Sequence, residues 1–137
     1  LLLLDEPMAG LDPGMQGELL CILDDLSARG ISIVLATHDV DFAYLWADHI
    51  HLLTNGRCTA SFAAAELPRQ GGALRTAGQS LPAVVSLHRS LVARGILPET
   101  PAPCSIPQLL ALLAVPPGVA STRDDTAHTG LCQRSIA

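Results

Sequence analysis

The sequence predicts an α/β fold, a parallel sheet with flanking helices followed by a short helical extension. Three observations carry that prediction. Two apolar runs, Leu1–Leu4 and Ile31–Ala36, break off abruptly into ionisable residues, as strands buried on both faces of a parallel sheet do. Each run is followed by apolar residues at helical spacing. The second helical stretch then leads into a hairpin signal, so the order is strand, helix, strand, helix, hairpin.

The elements follow one by one. Leu1–Leu4 is a strand that stops at Asp5-Glu6-Pro7. Asp12-Pro13 opens a helix, with Asp12 as N-cap and Pro13 at the first helical position. Met15, Leu19, Ile22, Leu23 and Leu26 form its apolar stripe, Cys21 reads as a small core residue on it, and Gly30 ends it. Ile31–Ala36 is the second strand, ending in Thr37-His38-Asp39, and a helix follows over Val40–Ala47. His49–Leu53 and Cys58–Phe62 flank Asn55-Gly56, a turn pair suited to two positive φ angles.

Beyond Phe62 the character changes. Residues 68–81, rich in Gly, Gln and small side chains, read as a linker. Residues 82–115 read as a small helical extension, one helix from Pro82 to Arg94 and a shorter one from Ser105 to Leu113. Residues 116–137 are polar, unpatterned and expected to be a disordered tail.

Composition narrows the function. Of 137 residues 49% are hydrophobic and 15% charged, which excludes wholesale disorder. Eight basic residues stand against 13 acidic ones, a net charge of −5, so nucleic acid is not an expected partner. All the basic residues are Arg, and a P-loop needs a Lys to reach nucleotide phosphates, so the chain does not carry one. The four cysteines are widely spaced with no C-x-x-C pair, which reads as a reducing, cytoplasmic setting. No apolar run approaches a membrane span, and the start at Leu1, inside a strand, leads to the expectation of a truncated chain.

Ligands in open parallel sheets bind beyond the carboxyl ends of the strands. If the two strands are neighbours, Asp5, Glu6 and His38 converge there. Asp5 suits a hard divalent cation, Glu6 points elsewhere and suits a general base, and His38 suits contact with a phosphate oxygen. Each residue alone also has an ordinary structural reading: solvated acids in a turn, a capping histidine, and Asp12 as an N-cap. His49 and His51 alternate on one strand and share a face, but no acid or Cys completes a ligand set.

Leu1-Leu2-Leu3-Leu4-Asp5-Glu6-Pro7 resembles the Walker B segment of ATP-binding-cassette (ABC) ATPases, which are P-loop NTPases. Ala9-Gly10-Leu11-Asp12 resembles their D-loop and Thr37-His38-Asp39 their switch histidine loop. The resemblance covers about Leu1–Phe62 and makes residues 1–67 the C-terminal portion of an ABC ATPase domain. It implies ATP and Mg2+ as cofactors, Asp5 serving magnesium, Glu6 as catalytic base and His38 at the γ-phosphate. It places Asp12, a cofactor-binding residue in this reading, at the interface of two ATPase subunits. Met8 stands where many members have Thr or Ser. The family's P-loop, Q-loop and signature motif belong upstream of Leu1, so this piece alone is expected to be inactive.

Val40–Asp48, above all Tyr44-x-Trp46-Ala47-Asp48, resembles the cobalt-importer ATPases of the energy-coupling-factor type, as does the helical extension. That resemblance implies a second ABC ATPase subunit, a transmembrane coupling protein and a substrate-binding membrane component as partners. It implies a peripheral position on the cytoplasmic face of the membrane and cobalt as substrate, with nickel or a vitamin as the nearest alternatives. An amphipathic helix with Phe42, Leu45 and Trp46 in the core accounts for the same residues. A non-catalytic remnant or dimerisation module remains a competing reading, as does an ABC-type ATPase acting on DNA or in translation.

Overall fold

The computed structural model describes residues 1–114 and the strand 134–136. Strand β1 (Leu2–Asp5) leads through helix α1 (Pro13–Ala28) to β2 (Ile33–Ala36), and α2 (Val40–Trp46) leads to the hairpin β3 (His49–Thr54) and β4 (Arg57–Ala63). A 3₁₀ helix (Ala64–Arg69), α3 (Gly71–Thr76), α4 (Ala83–Ala93), α5 (Ile106–Ala114) and β5 (Arg134–Ile136) follow. The five strands form one mixed sheet in the order β1-β2-β5-β3-β4, parallel except for the β3–β4 hairpin.

Local chemistry explains the boundaries. Asp12 accepts hydrogen bonds from Gly14 N and Met15 N at 2.9 and 3.0 Å and so caps α1, with Pro13 in the first turn. Asp39 caps α2 by accepting from Phe42 N at 2.9 Å. Asn55 and Gly56 take φ of 52° and 72°, the two positive angles that the tight hairpin turn needs.

One face of the sheet carries the core. Ile33, Leu35, Ile50, Leu52 and Phe62 are buried there against Leu23 of α1, Phe42 and Trp46 of α2, Leu74 of α3, Val84 and Val85 of α4 and Leu109 of α5. Phe42 and Trp46 stack with ring centroids 6.0 Å apart, and Trp46 Nε1 donates to Asp24 Oδ1 at 3.0 Å.

Several expectations are corrected. The first strand is not covered on both faces: Leu3 is 67% exposed and Leu1, just ahead of it, 81%. Leu2 and Leu4 share the covered face with Ile33 and Leu35, their partners in register. Helix α1 buries Leu23 and Ser27, while Cys21, Met15 and Ile22 are exposed, so Cys21 is not a core residue. Leu45 is exposed as well. Residues 68–81, read as a linker, hold α3, and Leu74 is fully buried in the common core. The tail reading over 116–137 falls mostly outside the described residues, and within it Arg134–Ile136 is a strand between β2 and β3.

Candidate functional site

The parallel register of β1 on β2 pairs Leu4 with Leu35 and Asp5 with Ala36. Asp5-Glu6 and Thr37-His38 therefore leave the sheet side by side, at the carboxyl ends of neighbouring strands. Asp5 is exposed and takes no hydrogen bond or ion pair among the described residues.

Glu6 behaves differently from a residue continuing the strand. Its φ is 43°, left-handed for a non-glycine residue, and Pro7 follows it, which further restricts its backbone. The strain, ~1–3 kcal/mol, is held in place by two backbone hydrogen bonds. Glu6 N donates to Ala36 O at 2.9 Å and Ala9 N donates to Glu6 O at 3.0 Å.

The turn swings the Glu6 carboxylate across the end of β2. Its Oε2 accepts from Thr37 Oγ1 at 3.0 Å, and its Oε1 accepts from His38 N at 2.9 Å and from His38 Nδ1 at 2.7 Å. A carboxylate only accepts, so Nδ1 carries the proton and Nε2 faces outward as the free ring nitrogen. The His38 side chain is 82% exposed and that of Glu6 36%. The hydrogen bond to His38 holds the Glu6 carboxyl below its ordinary value of 4.5, against a smaller opposing effect of burial. The same hydrogen bond, with the carboxylate's charge, raises the imidazole above its ordinary 6.5.

Thr37 is the residue that sequence reasoning passed over as a mere neighbour of His38. Its hydroxyl donates to Glu6 and accepts from Asp39 N at 3.2 Å, tying the carboxylate to the start of α2. The only sequence signal was a Thr followed two residues later by an N-cap Asp, a common local turn. Asp12 lies at the start of α1 with Oδ1 engaged in capping, and no hydrogen bond joins it to Glu6 or His38.

Asp5 fits a hard cation by its chemistry, an unpaired carboxylate beside a turn. Among the described residues no group of three or more His, Cys, Asp and Glu side chains forms a metal cage, so Asp5 would share an ion with water and a ligand's own oxygens. His49 and His51 lie on the face of β3 opposite Ile50 and Leu52. Among the described residues no helix is long and apolar enough to cross a membrane.

Comparison with known proteins gives a consistent set of relatives, although no family model matches. A Streptomyces coelicolor protein named among the ABC transporter ATP-binding proteins is 45% identical over 113 residues, 82% of this chain and 39% of the relative. A cobalt import ATP-binding protein of Rhodobacter capsulatus is 39% identical over 105 residues, 72% of this chain and 38% of the relative. An energy-coupling factor transporter ATP-binding protein of Methanospirillum hungatei is 38% identical over 95 residues, 69% of this chain and 24% of the relative. The chain thus spans less than half the length of these relatives.

Proposed function

Since the chain belongs with the ATP-binding proteins of ABC transporters, we propose that it is the carboxyl-side part of an importer's ATP-hydrolysing subunit. The observation that carries this reading is the 2.7 Å contact between Glu6 and His38, at neighbouring strand ends beside an unpartnered Asp5. A carboxylate and an imidazole so placed suit attack of water on a terminal phosphate.

Glu6 is the general base that orients and deprotonates the water, and His38 contacts the γ-phosphate through its exposed imidazole. With the phosphate absent the imidazole donates to Glu6 instead, which lowers the carboxylate's basicity. When the ring turns to the phosphate, one lone pair of Oε1 is freed for water. Asp5 is the residue that would hold Mg2+, which when bound supplies neutralisation of phosphate charge. Asp12, at the exposed start of α1, belongs to the interface with a second ATPase subunit. The fold that completes the site is that of a P-loop NTPase, and its P-loop lies outside these 137 residues, which hold no Lys.

Cobalt is the substrate we favour, because a relative named for cobalt import matches 72% of the chain. The subunit then acts from the cytoplasmic face of the membrane, with a transmembrane coupling protein and a substrate-binding membrane component. Nickel or vitamin import is the alternative. A non-catalytic dimerisation module is the competing reading, and hydrolysis by the longer protein would exclude it.

The test is made in the longer protein that supplies the P-loop. Glu6→Gln lowers hydrolysis ~10²–10⁴-fold while nucleotide binding persists. Unchanged turnover removes Glu6 from the mechanism. Uptake of labelled cobalt that stops in the same variant supports the metal, and uptake indifferent to it assigns the ATPase to another substrate. The 137 residues alone are expected to show no turnover, and Glu6-dependent turnover by them overturns that expectation.

A further inference from the structure

A cavity of about 480 Å³ lies between the 3₁₀ helix after β4, helix α4 and the 99–102 loop. Its size is that of a small-molecule site. Its lining is amphoteric: Arg69 and Arg89 bring two guanidinium groups, Glu66 and Glu99 two carboxylates, and Val85 is part of the apolar wall. None of these four charged side chains pairs with another. The ion pair of His38 with Glu6 lies elsewhere in the fold.

His88 supplies an independent observation. It lines the same cavity and is 3% exposed. Its Nε2 lies 3.1 Å from Pro98 O, and a carbonyl only accepts, so Nε2 carries the proton. Nδ1 makes no hydrogen bond among the described residues, so this ring nitrogen is open to a ligand in the cavity. An imidazole anchored through Nε2 presents Nδ1 in a fixed direction.

We infer that this cavity binds a small zwitterion, a free α-amino acid or a molecule with the same pairing of carboxylate and ammonium. The guanidinium forks of Arg69 and Arg89 match a carboxylate, and Glu66, Glu99 and His88 Nδ1 match the N–H groups of an ammonium. A simple anion would meet two carboxylates in the same cavity, and a simple cation two guanidinium groups, so single-charge ligands are disfavoured by like-charge repulsion. The inference stands apart from the reading of the strand-end site, since it uses none of the same residues.

The experiment is isothermal titration calorimetry of the full chain with glycine, L-leucine, L-glutamate and L-lysine in turn. Inorganic phosphate and methylammonium serve as single-charge probes. At least one amino acid is expected to bind saturably, with both single-charge probes about tenfold weaker or worse. Arg89→Ala and Glu99→Gln each weaken that amino acid about tenfold, with thermal midpoints unchanged because both side chains are exposed. Arg89→Lys recovers part of the loss, since it keeps the charge without the fork. Absence of saturable binding by all four amino acids overturns the inference. So does phosphate binding as tightly as the amino acid, or affinity indifferent to both substitutions.

Discussion

Leu74→Ala measures whether the stretch after the hairpin is packed structure. Leu74 is fully buried, in one core with Leu67, also fully buried, and Val85, 1% exposed. The substitution deletes three carbon atoms, a transfer loss of ~2.5 kcal/mol at ~0.8 kcal/mol per methylene. Three elements converge on the site, so it collapses only in part and the cavity left behind brings the expected cost to ~3–4 kcal/mol. Equilibrium urea unfolding of the full chain reads this as a fall in midpoint of ~1–3 M at constant m. Arg75→Ala, the exposed neighbour on the same helix, is the control and changes stability by less than ~0.5 kcal/mol. If Leu74→Ala costs no more than the control, residues 68–81 behave as a tether and the packing argument fails.

Three further outcomes are expected. Asp12→Ala costs ~1 kcal/mol in the same urea measurement, because Gly14 N and Met15 N lose their acceptor, and Asp12→Asn costs less. The imidazole of His38 titrates above 6.5 by NMR and returns toward that value in Glu6→Gln. The raised His38 value adds stability that is complete below pH 6.5 and lost as pH rises through it, and the lowered Glu6 value adds stability present above pH 4.5 and lost as pH falls through it. The pair therefore stabilises between the two shifted values, and pH-dependent melts of wild type and Glu6→Gln that superimpose contradict this. Deleting residues 134–137 removes the strand that pairs with both β2 and β3, and circular dichroism melts are expected to broaden and fall to lower temperature.

What the sequence disclosed, it disclosed where the cause is local. Asp12-Pro13 and Asn55-Gly56 specify a cap and a turn through their own backbone preferences, and both stand where the spacing predicts. Helix α1 shows the limit. Of the predicted stripe, Leu23 is buried and Leu19 and Leu26 are half-buried, yet Met15 and Ile22 are exposed and Ser27, outside the stripe, is buried. Periodicity establishes the helix but not the rotation that packing selects. Gly71 and Gly72 read as flexible, but Gly71 is buried, and a Cβ there would lie 3.4 Å from Leu81 Cδ1. The site divides in the same way. The strand ends were legible from apolar runs meeting acids, while the swing of Glu6 toward His38 comes from a positive φ that side-chain alternation along a strand does not foresee.

That φ also assigns the parts of the site to different duties. Glu6 is held by backbone hydrogen bonds on both sides, to Ala36 O and from Ala9 N, so the direction of its carboxylate is set by the turn. Thr37 Oγ1 and His38 N, both fixed at the end of β2, hold the carboxylate oxygens even if the imidazole leaves. The ring is the exposed member, and rotation of its side chain alone breaks its contact. Replacing His38 by Ala therefore leaves the carboxylate near its place and alters mainly its proton affinity, because the largest influence lowering it is gone. A site built this way separates position from charge state: the sheet and turn place the acid, and one exposed imidazole sets how strongly it attracts a proton.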